Sequence, residues 1–200
     1  MGPPDGRCTR QPVTDYSDPF DAAFGIAAAM EANRVDYAIG GALALGLWAV
    51  PRDTADVDLN VFVDPDHLVE VFEALEAAGV AVDRAEATAR ALRDGMFVGR
   101  AGLWRVDVFV ASIPFQTEAK ATRRRHEVEG RSAWFLSPEA LAVFKLLFFR
   151  GKDIADLERL VGVQGAAMDV GYVRSHIAEM MGEDDERTTT WDRIVAAFGA

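Results

Sequence analysis

Asp56 and Asp58 stand two residues apart in a stretch that alternates in character, with Val57, Leu59, Val61 and Val63 in one register and Asp58, Asn60 and Phe62 in the other. Alternation at period two marks a β-strand, and on a strand residues i and i+2 share a face. Two carboxylates so placed repel each other unless a cation sits between them. Hard divalent ions take such oxygen ligands, and Mg²⁺ usually binds one or two carboxylates together with substrate phosphates. Asp107 is a third carboxylate on a second alternating stretch, Trp104 to Val110, where Val106, Val108 and Val110 face the other way. With those two strands as neighbours, three aspartates converge at one sheet edge, the donor set of two-metal phosphoryl transfer. Upstream, the short strand Asp36-Tyr37-Ala38-Ile39 runs into Gly40-Gly41 and an apolar helix over residues 42–49, ended by Pro51. Glycines at a strand-to-helix turn let backbone approach a phosphate, and the helix N-terminus adds free N–H donors.

These residues resemble the nucleotidyltransferase superfamily, whose motif is a hydrophobic residue, Gly, then Gly or Ser, and after a short helix Asp-x-Asp or Asp-x-Glu. Ile39-Gly40-Gly41, Asp56-Val57-Asp58 and the later Asp107 match it position by position. The spelling Arg52-x-Thr54-x-Asp56-x-Asp58, with Ser137-Pro138-Glu139-x-Leu141-x-x-x-Lys145 and Lys152-Asp153-x-x-Asp156-Leu157, is similar to the AbiEii and MenT group of toxin-type nucleotidyltransferases. The resemblance covers residues 36–165. It implies an enzyme that moves a nucleoside monophosphate from a nucleoside triphosphate to an acceptor hydroxyl with two Mg²⁺ or Mn²⁺ ions. Asp56, Asp58 and Asp107 would hold metal and carry catalysis, with Asp107 also a general-base candidate; Gly40, Gly41, Arg52, Thr54 and Lys145 would bind nucleotide. It further implies tRNA or a protein as acceptor and an antitoxin partner. A small-molecule, aminoglycoside-like transferase and a non-catalytic nucleotide-binding module of the same fold are the alternatives.

Several of these residues carry a second reading. Arg52 and Thr54 suit either phosphate binding or support of the aspartates. Lys145, between Leu141 and Phe148 on a helix, suits either a triphosphate or a lysine whose stem lies along the surface. Lys152 and Asp153 read as a helix-start pair, and Asp156 as solvated or supporting Lys152. Arg123, Arg124 and Arg125 form the one basic cluster, either a solvated helix face or a contact for polyphosphate or an acceptor such as RNA. His67, His176 and the tryptophans read as structural.

The elements that must position the aspartates are legible from pattern. Ser17-Asp18-Pro19 opens a helix that runs to about residue 33, and residues 1–18 read as a flexible leader. Asp64-Pro65-Asp66 caps a helix carrying Leu68, Val71, Phe72 and Leu75, ended by Gly79. Val80 to Val82 reads as an edge strand, and Met96 to Arg100 as a hairpin partner of Trp104 to Val110. Gln116 to Arg125 reads as a basic helix and Val128 to Leu136 as a strand or hairpin. Ser137-Pro138-Glu139 starts a helical region, with further helices over 153–163, 170–181 and 187–198. The expectation is an α/β (α+β) fold: a small mixed sheet flanked by helices over 19–136, then a helical bundle over 137–200.

Composition sets the outer bounds. The chain has 200 residues, half of them apolar, and a net charge of −11. That charge argues against coating of nucleic acid by bulk electrostatics, so no DNA partner is expected. Cys8 is the single cysteine, which excludes a disulfide framework. No apolar run approaches the roughly 20 residues of a membrane span, and no signal-peptide core precedes Pro19. A cytoplasmic protein without a membrane partner is the expectation.

Overall fold

The computed structural model describes residues 15–199. Most of the expected leader lies outside the described residues, but its end is tied down. The Tyr16 hydroxyl donates to Ala78 O at 2.8 Å, and Trp104 Nε1 donates to Tyr16 O at 3.0 Å.

Seven strands form one mixed sheet: β1 (Tyr37–Ile39), β2 (Asp56–Val61), β3 (Val80–Ala81), β4 (Met96–Ala101), β5 (Trp104–Phe109), β6 (Arg124–Val128) and β7 (Arg131–Phe135), in the order β3-β4-β5-β2-β1-β7-β6. The β2–β5 and β1–β7 pairs are parallel and the others antiparallel. The helices are α1 (Pro19–Ala32), α2 (Gly41–Trp48), α3 (Val69–Ala77), α4 (Arg84–Asp94), α5 (Phe115–Thr122), α6 (Pro138–Phe148), α7 (Gly151–Gln164), α8 (Val170–Met181) and α9 (Glu186–Phe198). The chain is therefore the expected mixed α/β protein, with sheet and helices interleaved up to Phe135 and helices alone after it. None of the described helices is long and apolar enough to cross a membrane.

Alternation works as read. Val57, Leu59 and Val61 of β2 and Val106 and Val108 of β5 are fully buried, while Asp56, Asp58 and Asp107 occupy the other face. The helix starts with clear caps are also where pattern placed them. Asp18 accepts from Asp21 N at 2.8 Å ahead of Pro19, and Ser137 accepts from Ala140 N at 3.1 Å ahead of Pro138.

Three expectations are corrected. The helix after β2 begins at Val69, not at Asp64-Pro65-Asp66, and Leu68 caps it without a side-chain hydrogen bond. α4 has no counterpart in the sequence reading, although Asp83 caps it through Ala85 N and Glu86 N and Gly95 ends it in the left-handed region. The basic helix over 116–125 stops at Thr122, and Arg124 and Arg125 lie on edge strand β6. There the backbone pairs with β7 instead, Arg124 opposite Phe135 and Arg125 opposite Trp134.

One hydrophobic core joins the sheet-containing and helical parts. Ile26 and Met30 of α1, Ile39, Leu59 and Val106 of the sheet, and Leu141, Leu157, Trp191 and Ile194 of the later helices belong to the same buried cluster. α6 packs on α2, α7 and α8, and its Leu141, Phe144 and Lys145 line the cleft that also holds the aspartates. Its start depends on Ser137, which is fully buried and serves a buried donor. Ser137→Ala should lower unfolding free energy by about 1–2 kcal/mol in a denaturant titration.

Candidate active site

The aspartates come together because β2 and β5 run parallel in a fixed register. Asp56 pairs with Arg105, Asp58 with Asp107, and Asn60 with Phe109. Neighbouring strands lie about 4.8 Å apart, so Asp58 and Asp107 stand side by side on one face. Asp56, Asp58 and Asp107 all line a cleft of about 450 Å³ whose other wall is α6 and the start of α7.

The surroundings of Asp58 disfavour its charged form. Burial, then the charges of Asp107 and Asp56, push its pKa up to about 6, against a smaller opposing effect of Lys145 and Lys152. Neither Asp56 nor Asp58 has a side-chain hydrogen bond or ion pair among the described residues. Asp107 differs: its Oδ1 accepts from Arg105 Nε at 2.7 Å. The three carboxylates do not gather within 4.8 Å of one another. Asp64, Asp66 and His67 do gather that closely, but all three are exposed on the loop after β2, and none lines the cleft. His67, read as structural, is thus a surface residue whose Nδ1 lies 3.2 Å from Asp66.

The glycine pair divides its work. Gly41 lines the cleft at φ +57°, and a Cβ there would overlap the Asp58 carboxylate. Gly40 does not line the cleft. Its N–H donates to Asp58 O at 2.8 Å, and a Cβ on it would lie 2.8 Å from Asn60 Nδ2. The glycines are therefore required first by the close approach of β2, and only Gly41 is placed to meet a ligand.

Arg52, Thr54 and Lys145 line the cleft as well, but each is already engaged. The Thr54 hydroxyl lies 3.2 Å from both Asp56 N and Asp56 O, closing the turn into β2. Arg52 Nε and Nη2 donate to Asp156 at 3.1 Å, and Lys145 Nζ donates to the same carboxylate at 2.7 Å. Arg159 adds a third cation at 3.0 Å. Asp156 is fully buried, and burial alone would raise its pKa; the Arg52 and Lys145 hydrogen bonds outweigh that and hold it below the usual carboxylate range. Lys145 is 4% exposed, with Asp153 a further 3.8 Å away, so it does not reach the surface as an extended stem would. Asp156 is neither solvated nor a partner of Lys152.

Lys152 is the cation that the sequence reading set aside. It is exposed in the first turn of α7, lines the cleft, and has no ion pair among the described residues. Arg105 was also missed, although its place two residues before Asp107 puts it on the same strand face. The basic cluster lies elsewhere: Arg123, Arg124 and Arg125 do not line the cleft. They pair with Asp36 at 2.7 Å, Glu139 at 3.2 Å and Glu31 at 3.1 Å, and Arg123 lies 4.7 Å from the Trp134 ring centroid.

No protein-family model matches the sequence, and no curated protein matches it. Solved structures do match. The antibiotic-resistance factor ANT(2'')-Ia in solution aligns with 91% of this chain and 92% of its own, at TM-score 0.54 and 16% identity. The crystal structure of ANT(2'')-Ia in complex with adenylyl-2''-tobramycin covers 78% of this chain and 94% of its own, at TM-score 0.56 and 18% identity. An antigenic nucleotidyltransferase-like protein from Paracoccidioides brasiliensis covers 88% and 92%, at TM-score 0.50 and 16% identity.

Two outcomes check this geometry. Because the Asp58 pKa is raised on folding, the folded state binds more protons than the unfolded one between about pH 4 and 6. Stability from this group therefore falls as pH rises through that window and stays lost above it. In chelator, Asp58→Asn should exceed wild type by about 2–3 kcal/mol at pH 7.5 and converge with it near pH 4 in urea titrations. Asp156→Ala leaves the buried Lys145 with only Asp153, at 3.8 Å, and should lose about 3–5 kcal/mol. Likeness across nearly the whole chain, at identities of 16–18%, gives this protein the nucleotidyltransferase fold.

Proposed function

We propose that the protein is a divalent-metal-dependent nucleotidyltransferase that moves a nucleoside monophosphate from a nucleoside triphosphate to an acceptor hydroxyl. The parallel register that sets Asp58 beside Asp107, with Asp56 on the same face and Gly41 against them, carries this reading. The carboxylates fit a metal: two have no side-chain partner among the described residues, and Asp58 is partly buried beside like charges. Asp56, Asp58 and Asp107 would hold Mg²⁺ or Mn²⁺, which when bound would ease deprotonation of the acceptor hydroxyl and offset charge on pyrophosphate. Gathering the three requires Asp107 to loosen its contact with Arg105.

The protein's own groups do the rest. The N-terminus of α2 at Gly41 presents backbone donors to the phosphates. Lys152 meets the triphosphate with a charge that no partner among the described residues consumes. Arg52 and Thr54 shape the turn that aims Asp56, and Lys145 acts through Asp156 and not on the phosphates. The acceptor oxygen attacks the α-phosphorus, its proton passes to Asp107, and the bond to the β-phosphate oxygen breaks to release pyrophosphate. A non-catalytic binding module would have no use for Asp107 in this place.

A small hydroxylated acceptor suits the site better than tRNA. The cleft is rich in carboxylates, and the arginine cluster that suggested RNA is spent on Asp36, Glu139 and Glu31. Adenylyl-2''-tobramycin in one structural neighbour is a product of that kind.

Pyrophosphate release with Mg²⁺, each of the four nucleoside triphosphates and a panel of aminoglycosides, total RNA and protein acceptors tests the proposal. Asp107→Ala should keep nucleotide binding while losing roughly 100-fold or more of turnover. Lys152→Ala should weaken nucleotide binding about tenfold with an unchanged melting temperature. Wild-type and Asp107→Ala proteins that behave alike across the panel would overturn the assignment.

A further inference from the structure

The cleft continues into an aromatic-lined chamber that the phosphate chemistry leaves unused. Phe109 follows Asp107 on the same face of β5, and its register partner Asn60 lies one step beyond Asp58. At the usual strand rise the chamber begins about 7 Å along the sheet from the carboxylates. Phe109, Ile113, Phe144 and Phe148 line it. The Phe109 and Phe148 rings lie 5.5 Å apart at 57°, the Arg150 guanidinium carbon lies 4.9 Å from the Phe148 ring centroid, and Phe148 is 44% exposed.

Gln116, at the start of α5, also lines the cleft and is 5% exposed. Its Nε2 donates to Val110 O at 3.1 Å. A backbone carbonyl can only accept, so the amide nitrogen must face it, and Oε1 is left on the other side. That oxygen is buried with no hydrogen-bond partner among the described residues. Folded proteins seldom leave a buried polar atom so.

We propose that Gln116 selects the nucleobase: the base lies against the phenyl walls of the chamber, and Oε1 accepts a hydrogen bond from an N–H at its edge. This rests on the nucleotidyltransferase reading and adds a specificity residue to it. Three observations favour a base over other parts of the substrates. A lone acceptor oxygen repels phosphate. A polyhydroxylated, polycationic acceptor would leave most of its donors unpaired against phenyl rings. A flat ring with apolar faces and an N–H at its edge satisfies both the rings and the oxygen. The four bases present their N–H groups at different positions, so one acceptor held by Val110 discriminates among them.

The test is equilibrium binding of ATP, GTP, CTP, UTP and inorganic tripolyphosphate, with Mg²⁺, to wild type, Gln116→Leu and Phe148→Ala. Wild type should prefer one base by about tenfold or more. Gln116→Leu should level that preference while tripolyphosphate affinity and the melting curve stay unchanged. Phe148→Ala should weaken all four nucleotides but not tripolyphosphate. Equal binding of all four by wild type, or a preference that survives in Gln116→Leu, would overturn the assignment. A leucine variant that loses affinity for aminoglycosides and keeps its base preference would move the residue to the acceptor and overturn it too. Failure of the nucleotidyltransferase reading looks different: neither tripolyphosphate nor any nucleotide binds wild type, and both proposals fall.

Discussion

The parallel pairing of β2 with β5 is the constraint on which the site depends. It places Asp58 beside Asp107 and leaves the protein with adjacent carboxylates on a partly buried sheet face. In a low-dielectric surrounding like charges cannot both ionise freely. The fold answers in three ways. It accepts a raised Asp58 pKa, it gives Arg105 to Asp107, and it keeps the α2 turn free of side chains so that Asp58 can lie against Gly41. Each answer leaves ionic character at the cleft floor that a divalent cation would complete.

A second charge system holds the cleft together from behind. Asp156 collects Arg52, Lys145 and Arg159, and so joins the turn before β2 to α6 and α7. A buried carboxylate is costly unless its oxygens are fully served, and here the donors come from three parts of the chain. The arrangement sets the aspartate turn against the helical part and spends two cations that sequence pattern would assign to phosphate. In a chain of net charge −11, most cations near the site or in the arginine cluster are similarly paired, which is why Lys152, without an ion pair among the described residues, stands out. The cleft thus grades from an ionic floor, through Lys152 and the carboxylates, to an aromatic end at Gln116, where Arg150 lies over the Phe148 ring.

The described structure explains where pattern reading failed. α4 carries only Ala87 and Ala91 as buried residues, so its apolar stripe is too thin to register, although Asp83 and Gly95 mark its ends. The 116–125 stretch has helix-forming composition throughout, yet pairing with β7 draws Arg124 and Arg125 into a strand. A local preference of a few tenths of a kcal/mol per residue yields readily to tertiary pairing of this kind.

The sequence by itself determined the two valine-rich strands with their outward aspartates, the glycine turn and the capped helices, because each is written in period, cap or turn chemistry within a few residues. It therefore supplied the mixed α/β class and the three carboxylates. Tertiary structure alone decided which cations are free. Lys145 and Lys152 are both lysines of the same helical region, and only folding buries one against Asp156 and leaves the other in the cleft. It also decided that Gln116 has an oxygen without a partner among the described residues, since that depends on Val110 lying within reach of its nitrogen. Pairing and burial are sums over distant residues, and no local pattern records them.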